Sequence, residues 1–531
     1  MGEESKKWKP GVVDLNDPAA RKAEVERRRQ WVMSQAQKNT KEKNNDSEQP
    51  PINFIRDCLK ANEAGDGLLF AYTHKEQYIY NVDSGEWLNW QGHYWQKDGL
   101  STVLASVENV VTQYGRLLQY LEQEIYKALQ ESDKATVASL EDERKKTIKR
   151  IDKLHSDKGR KAALEFAKFN QSCSLAQEGS KFDNNPDLLA CENGVLDLRT
   201  GDFKNGRQDQ YLTKHCAVHW EGIDAKCPLW DMFLLQILSG RQEVVDFLQR
   251  TLGYNVTGKT IEHKFIVLEG QGRNGKGKFV EVFQEILNDF MAPIPAELLL
   301  DQGRVRSSAG PSPDIMQLKG LRIAVASETD EGRRISPSAI KWLCGGDTLV
   351  GRNPHDKNLT KFQPSHSLWL LTNHKPHAPA DDFAFWERVY IIPFEVSFVD
   401  REPRAPNEKR ADKDLKEKLM AEAPGILAWI VRGTLLWRQQ GLDPPAAVRE
   451  ATAQYRQDED ILGDFIEDEC ITGPNLSEEF ARLYDKFSSW YEVNISKKVP
   501  SKKKFGNWLS RRFERRKTNI VKYLGIKLRE I

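Results

Sequence analysis

The sequence predicts an α/β protein in which a phosphate-binding core follows a mainly helical domain and precedes a C-terminal winged helix. Three observations predict it. The stretch Lys264–Phe279, KFIVLEGQGRNGKGKF, passes from an apolar strand-type run through a glycine-rich turn into residues of helical spacing. Val103–Lys168 repeats apolar residues at three- and four-residue steps, as in RLLQYLEQEIYKAL. From about Asp460 an amphipathic helix, a basic helix and a hairpin follow one another.

Strand, turn and helix in that order hold phosphate. Glycines let successive backbone N–H groups converge on an anion, the helix N-terminus adds its positive dipole end, and Lys276 reaches the terminal phosphates. Of the template G-x-x-x-x-G-K-[ST], Gly270, Gly275 and Lys276 match and Gly277 does not. Gly272, Asn274 and Lys278 complete the expected nucleotide-contacting stretch. The hydroxyl missing at Gly277 would help hold Mg²⁺. Either an acidic residue elsewhere carries the metal, or the loop binds nucleotide weakly.

Charge adds little at the level of the whole chain. Lys and Arg number 79 against 78 Asp and Glu, so any nucleic-acid surface must be local. No apolar run approaches the ~20 residues of a membrane span, and MGEESKKWKP has no apolar signal core. A cytoplasmic protein without a membrane partner is expected. The seven cysteines are scattered and never spaced C-x-x-C, which suggests neither a disulfide framework nor a zinc site.

Four segments are expected along the chain. Residues 1–51 are rich in Lys, Glu, Asn and Gln and read as a mostly disordered charged arm, with a helix through Ala19–Gln35. Residues 52–225 read as an α+β domain. There YIYNVDSGEWLNWQGHYWQKDG alternates aromatic and polar residues like a meander, and the mixed-sign EDERKKTIKRIDKL reads as a solvated helix face. Later in the same domain, Asn193-Gly194 and Thr200-Gly201 mark turns. Residues 226–455 hold the phosphate loop, and residues 456–531 the C-terminal unit.

Past the loop, Ile323–Ala326 reads as a buried strand with Glu328 and Asp330 just beyond its end. A carboxylate delivered beside a phosphate loop can position Mg²⁺ and polarise attacking water. Glu328 takes the water-activating role and Asp330 secondary metal support. A third strand, SLWLLTN, ends in Asn373, whose amide could contact a γ-phosphate, or simply form the turn before His374-Lys375-Pro376. A fourth, RVYIIPF, begins with Arg388, which reads equally as a transition-state arginine on a neighbouring subunit's nucleotide or as a structural ion pair.

The series GQGRNGKGKF, AVASETDEGRRI, KWLCGGDTLVGR, LLTNHKP and WERVYIIPF resembles the superfamily 3 helicase core of the phage and plasmid primase/helicase family, which includes poxvirus relatives. The upstream ENGVLDLRTG and LQRTLGYNVTG are similar to that family's leader segments, and the likeness spans about residues 54 to 400. The resemblance implies an AAA+ type ATPase ring, usually a homo-hexamer, that hydrolyses ATP with Mg²⁺ between subunits and moves along single-stranded DNA in its pore. It implies phosphate binding by Lys276, catalysis by Glu328, a sensor in Asn373 and an arginine finger in Arg388. It places Arg352, His355, Lys357 and Lys361 on or beside a DNA-contacting pore hairpin. Glycine at 277 occurs in that family. The family's primase catalytic domain is missing, so a separate primase is a possible partner, and the location implied is a host cytosol.

In the C-terminal unit, EEFARLYDKFSSWYEVN places Phe480, Leu483, Tyr484, Phe487, Trp490 and Tyr491 on one helical face, a core stripe. SKKKFGNWLSRRFERR follows as a helix with Phe505, Trp508, Leu509 and Phe513 inward. Lys502, Lys503, Lys504, Arg511, Arg512, Arg515 and Arg516 are mostly outward. The final NIVKYLGIKLREI reads as a two-stranded wing. Lys497–Arg529 holds 13 basic residues and one acidic, Glu514, which suits a helix laid against duplex phosphates. Two other classes stay open: a non-catalytic origin-binding or scaffold protein with a degenerate P-loop, and a P-loop kinase or small-molecule enzyme.

Overall fold

The apolar spacing of Val103–Lys168 becomes helices Thr102–Ser106, Glu108–Gln130, Lys134–Leu154 and Asp157–Lys168. The computed structural model describes residues 49–170, 172–303, 310–327, 332–354, 358–495, 497, 499–517 and 520–529. The expected helix at Ala19–Gln35 lies outside them. Chain contacts divide the molecule into two units, the first made of residues 49–80 and 98–176 and the second of residues 81–97 and 177–529.

In the first unit, helices Ile52–Lys60 and Asn62–His74 join those four. Helix starts follow local chemistry: Asp133 accepts the N–H groups of Ala135 and Thr136, and Ser156 accepts that of Gly159. Gly67 lets helix Asn62–His74 touch helix Asp157–Lys168, because a β-carbon there would stand 2.5 Å from the Cβ of Phe166. An ion pair is buried between helices. Asp66 accepts hydrogen bonds from Tyr114 Oη at 2.8 Å and Arg150 Nη1 at 3.3 Å, and burial pushes its carboxyl up to about 6.

The second unit opens with short sheets. Glu86–Trp90 pairs antiparallel with Trp95–Lys97, and Leu188–Cys191 with Gly194–Asp197, which also pairs with Phe203–Lys204. Five longer strands then form one parallel sheet: β1 (Phe265–Glu269), followed by helix α1 (Lys276–Leu287), β2 (Met291–Ile294), β3 (Ile323–Ser327), β4 (Ser367–Thr372) and β5 (Val389–Pro393). The spatial order is β2-β3-β4-β1-β5, every pair parallel. Buried on both faces, the central strands β1, β3 and β4 read as nearly continuous apolar runs, while the edge strand β2 is only partly buried. Helices Gln242–Asn255 and Ala423–Gln440 pack nearby where Gly253 meets the Gly433 backbone, too close for any side chain.

The C-terminal part contains α2 (Ile461–Glu469), β6 (Cys470–Glu479), α3 (Phe480–Asn494), α4 (Lys502–Ser510), β7 (Arg515–Lys517) and β8 (Val521–Leu528). The aromatic stripe of α3 is its core, with Phe487 stacked on Phe505 of α4 at 4.2 Å. Two expectations are corrected. The basic helix stops at Ser510, so Arg515 and Arg516 lie on an exposed strand. The final segment is one strand, not two; β8 pairs with β7 on one side and β6 on the other. Gly525 (φ +87°) looks like a turn in sequence. Inside β8 it sits where the pairing with β6 shifts register.

Candidate functional site

The glycine-rich loop hangs between the end of β1 and the start of α1. Backbone φ is +86° at Gly272, +48° at Arg273 and +88° at Gly275. At Gly275 a β-carbon would also stand 2.5 Å from Ile237 Cγ2, so conformation and space both demand glycine. Gly270 is confined by the Asn274 side chain and the Phe394 carbonyl. Asn274 is buried and donates to that carbonyl at 3.3 Å, which ties the loop to the end of β5. Gly277 differs: a β-carbon there would meet nothing within 4 Å. Packing therefore does not exclude a serine or threonine hydroxyl at that position.

Lys276 opens α1 and is 6% exposed. Its Nζ donates to the Gly270 carbonyl at 2.5 Å and to Asn373 Oδ1 at 3.3 Å. The contact with Asn373 exists because β4 lies directly beside β1, so the strand ends at Thr372 and Glu269 are register partners. No carboxylate pairs with this ammonium among the described residues. Burial pushes its pKa down to about 8, with the Glu269 charge opposing the shift. A polyanion in the loop would restore the lost solvation, so these residues fit a nucleotide phosphate.

A pH dependence follows. The unliganded fold binds fewer protons than the unfolded chain between pH 8 and the ordinary lysine range, so Lys276 makes the empty protein gain stability as pH rises there. Phosphate binding needs the charged form. Nucleotide affinity is expected to fall by up to about tenfold per pH unit above about 8, measured by calorimetric titration.

The remaining expected residues are distributed as follows. Lys278 is paired with Glu281 at 2.8 Å. Glu328 and Asp330 lie outside the described residues, directly after β3. Among the described residues no group of His, Cys, Asp or Glu could hold a metal ion. Arg388 precedes β5, where its carbonyl accepts the Phe265 N–H at the start of β1. The loop leaves the other end of β1, a strand length of about 16 Å away, so Arg388 is not brought to its own chain's loop. Among the described residues it has no ion-pair partner; Nη1 donates to the Ala384 carbonyl and Nε is buried without a partner.

Arg352 directly follows the first strand, and Lys361 lies within the second, of a hairpin formed by Leu349–Gly351 and Thr360–Phe362. Lys361 is exposed opposite Val350. His355 and Lys357, at its tip, lie outside the described residues. Lys502, Lys503 and Lys504 form the exposed first turn of α4, and Arg515 is exposed on β7. Arg511 and Arg512 are exposed, as expected, and are also ion-paired with Asp381 and Asp460.

Sequence reasoning missed how the segment after Asn373 is held. Tyr455 donates to the Pro376 carbonyl, Lys375 pairs with Asp458, and Glu459 accepts from the Ala378 N–H at 3.0 Å. Helix Ala446–Asp458 shows only its own apolar period in sequence, which says nothing of what it touches.

Residues 67–239 match the family model described as "D5 N terminal like". Over those residues the chain is similar to D5-like proteins. "Putative helicase L207/L206" of Acanthamoeba polyphaga mimivirus is 29% identical over 344 residues, 62% of this chain and 35% of that protein. "Putative helicase 121R" of Invertebrate iridescent virus 3 is 26% identical over 341 residues, 60% of this chain and 36% of that protein. The chain thus spans about a third of the length of these curated relatives. The solved "A form apo structure of NrS-1 C terminal region-CTR" covers 63% of this chain and 94% of its own, at 12% identity. Its TM-score of 0.36 is too low to carry the fold. No helix among the described residues is long and apolar enough to cross a membrane.

Proposed function

We propose that this D5-like chain is an ATP-dependent DNA helicase of superfamily 3 that replicates a phage, plasmid, virus or related mobile element. The observation that carries the reading is Lys276, a buried ammonium at the head of α1, joined to Gly270 and Asn373 and, among the described residues, lacking a carboxylate partner. Such a group is matched to phosphate and is costly for a purely structural turn. The helicase names of the viral relatives support DNA as the track.

In this reading the core is an AAA+ type P-loop ATPase. Bound ATP with Mg²⁺ supplies the hydrolysable phosphoanhydride. Gly270–Lys278 bind its phosphates, and Lys276 holds charge against the terminal ones. Glu328 orients and deprotonates water, Asp330 supports the metal, and Asn373 positions the γ-phosphate. Arg388 completes a neighbour's site, which is why its distance from its own loop supports a ring, taken as a homo-hexamer. The hairpin carrying Arg352, His355, Lys357 and Lys361 reaches a single strand in the pore. The C-terminal unit acts as a winged helix on duplex DNA through Lys502, Lys503 and Arg515, with Arg511 and Arg512 available once their ion pairs open and Lys504 on the side of α4 that lines a cleft. A separate primase would supply primers, and the cytosol of a host cell is the place of action.

An ATPase assay with and without single-stranded DNA tests this, and hydrolysis stimulated by the strand is expected. No hydrolysis at all would favour an origin-binding scaffold with a degenerate loop. Hydrolysis indifferent to DNA would favour a small-molecule P-loop enzyme.

A further inference from the structure

Within the second unit a cleft of ≈ 780 Å³ opens between the parallel-sheet region and the C-terminal helices. Most of its charge is cancelled locally. Arg511 pairs with Asp381, Arg512 with Asp460, and His377 with Glu459, while Asp301 Oδ1 accepts the Gly303 N–H. Arg334, from the core side, and Lys504, from α4, line the same cleft. Among the described residues neither has a carboxylate within ion-pair distance. Burial and the nearby Arg334 charge push the Lys504 ammonium below the ordinary lysine range. Arg334 and Lys504 are exposed cations on one cleft, so an anion between them is attracted by both, with Asp301 the remaining carboxylate of the lining. Trp508 also lines the cleft, partly exposed, with Lys504 Nζ 5.2 Å from its ring centroid.

We propose that this cleft binds the sugar–phosphate backbone of a single DNA strand, with Arg334 and Lys504 on a phosphate and Trp508 beside a base. The proposal rests on the DNA-helicase reading and adds a second strand-binding place, away from the hairpin. Cations combined with an aromatic platform are the means by which proteins hold single strands without reading sequence. The cleft's volume suits a nucleotide or two and excludes a duplex. The position has a consequence for the nucleotide site. The Arg334 carbonyl accepts the Asp301 N–H at 2.8 Å, and the Arg334 backbone bridges to His377. Arg334 and His377 lie on the segments that follow β3 and β4, the strands ending before Glu328 and Asn373. A strand in the cleft therefore draws α4 against both segments.

The test is fluorescence anisotropy of a labelled short oligothymidylate with the full chain, over a range of salt concentrations. Variants are Arg334→Gln, Lys504→Gln, and the charge-keeping Arg334→Lys and Lys504→Arg, each first checked for an unaltered melting temperature. Removing one cation from a phosphate should lower the slope of log affinity against log salt by about 0.7. Both glutamine variants should show that drop, and both charge-keeping variants should restore it. A slope that falls for Lys504→Gln but not for Arg334→Gln puts the strand on the outer face of α4 and overturns the cleft. Unchanged slopes in both variants, with a wild type that binds, overturn it too and leave the helicase reading intact. A wild type that binds no oligonucleotide sinks both together. Inorganic phosphate that raises the melting temperature of wild type but not of the double glutamine variant, with no change of slope, identifies a free anion and overturns the strand.

Discussion

Lys276→Ala is expected to lose nucleotide binding by at least about thirtyfold, since truncating one partner of a desolvated, hydrogen-bonded charge pair costs about 2 kcal/mol or more. The variant should still fold. Lys276 has no carboxylate partner among the described residues, so its removal strands no buried charge, and Asn373 Oδ1 lies on an exposed residue where water can replace the lost donor. The readout is a thermal shift: ATP should raise the melting temperature of wild type, as any ligand of the native state must, and leave that of the variant unmoved. A variant stabilised by ATP as strongly as wild type would remove Lys276 from the phosphate site.

Arg388→Ala is expected to give the opposite split. ATP binding stays, because the residue lies a strand length from its own loop, while hydrolysis falls by about 10³ or more, the usual scale for an arginine finger. Mixing sharpens the test. Arg388→Ala subunits retain Lys276, and Lys276→Ala subunits retain Arg388, so mixed assemblies should recover hydrolysis that neither variant has alone. Absence of recovery, or normal turnover in a dilute Arg388→Ala monomer, would sink the role in trans. Nη1 bonds only the Ala384 carbonyl, so loss of the side chain should cost little stability.

The parallel sheet was legible in the sequence for a physical reason. Strands buried on both faces must be apolar throughout, so Phe265–Leu268, Ile323–Ala326 and the core of SLWLLTN stand out against flanking polar turns. The loop was legible because glycine at Gly275 answers two constraints together, a left-handed backbone and the approach of Ile237. The C-terminal wing was less so. A glycine with positive φ can serve a turn or sit opposite an irregularity in a partner strand, and only that strand distinguishes them; β6, some fifty residues earlier, shifts register between Thr472 and Ser477, opposite Gly525.

Local chemistry is readable from the residues alone: which of them could cradle phosphate, which strand ends carry a carboxylate, an amide or an arginine, and where basic charge gathers. Each depends on neighbours within a few residues, where backbone geometry fixes what faces what. Only the tertiary structure decided adjacency. The order β2-β3-β4-β1-β5 brings Asn373 to Lys276 and keeps Arg388 at the far end of β1. Tertiary packing gives the exposed Arg511 and Arg512, just past α4, their ion-pair partners Asp381 and Asp460, and puts Lys504 and Arg334 on one cleft. Periodicity says which side of a helix is buried. What it is buried against is set by long-range packing, which no local pattern encodes.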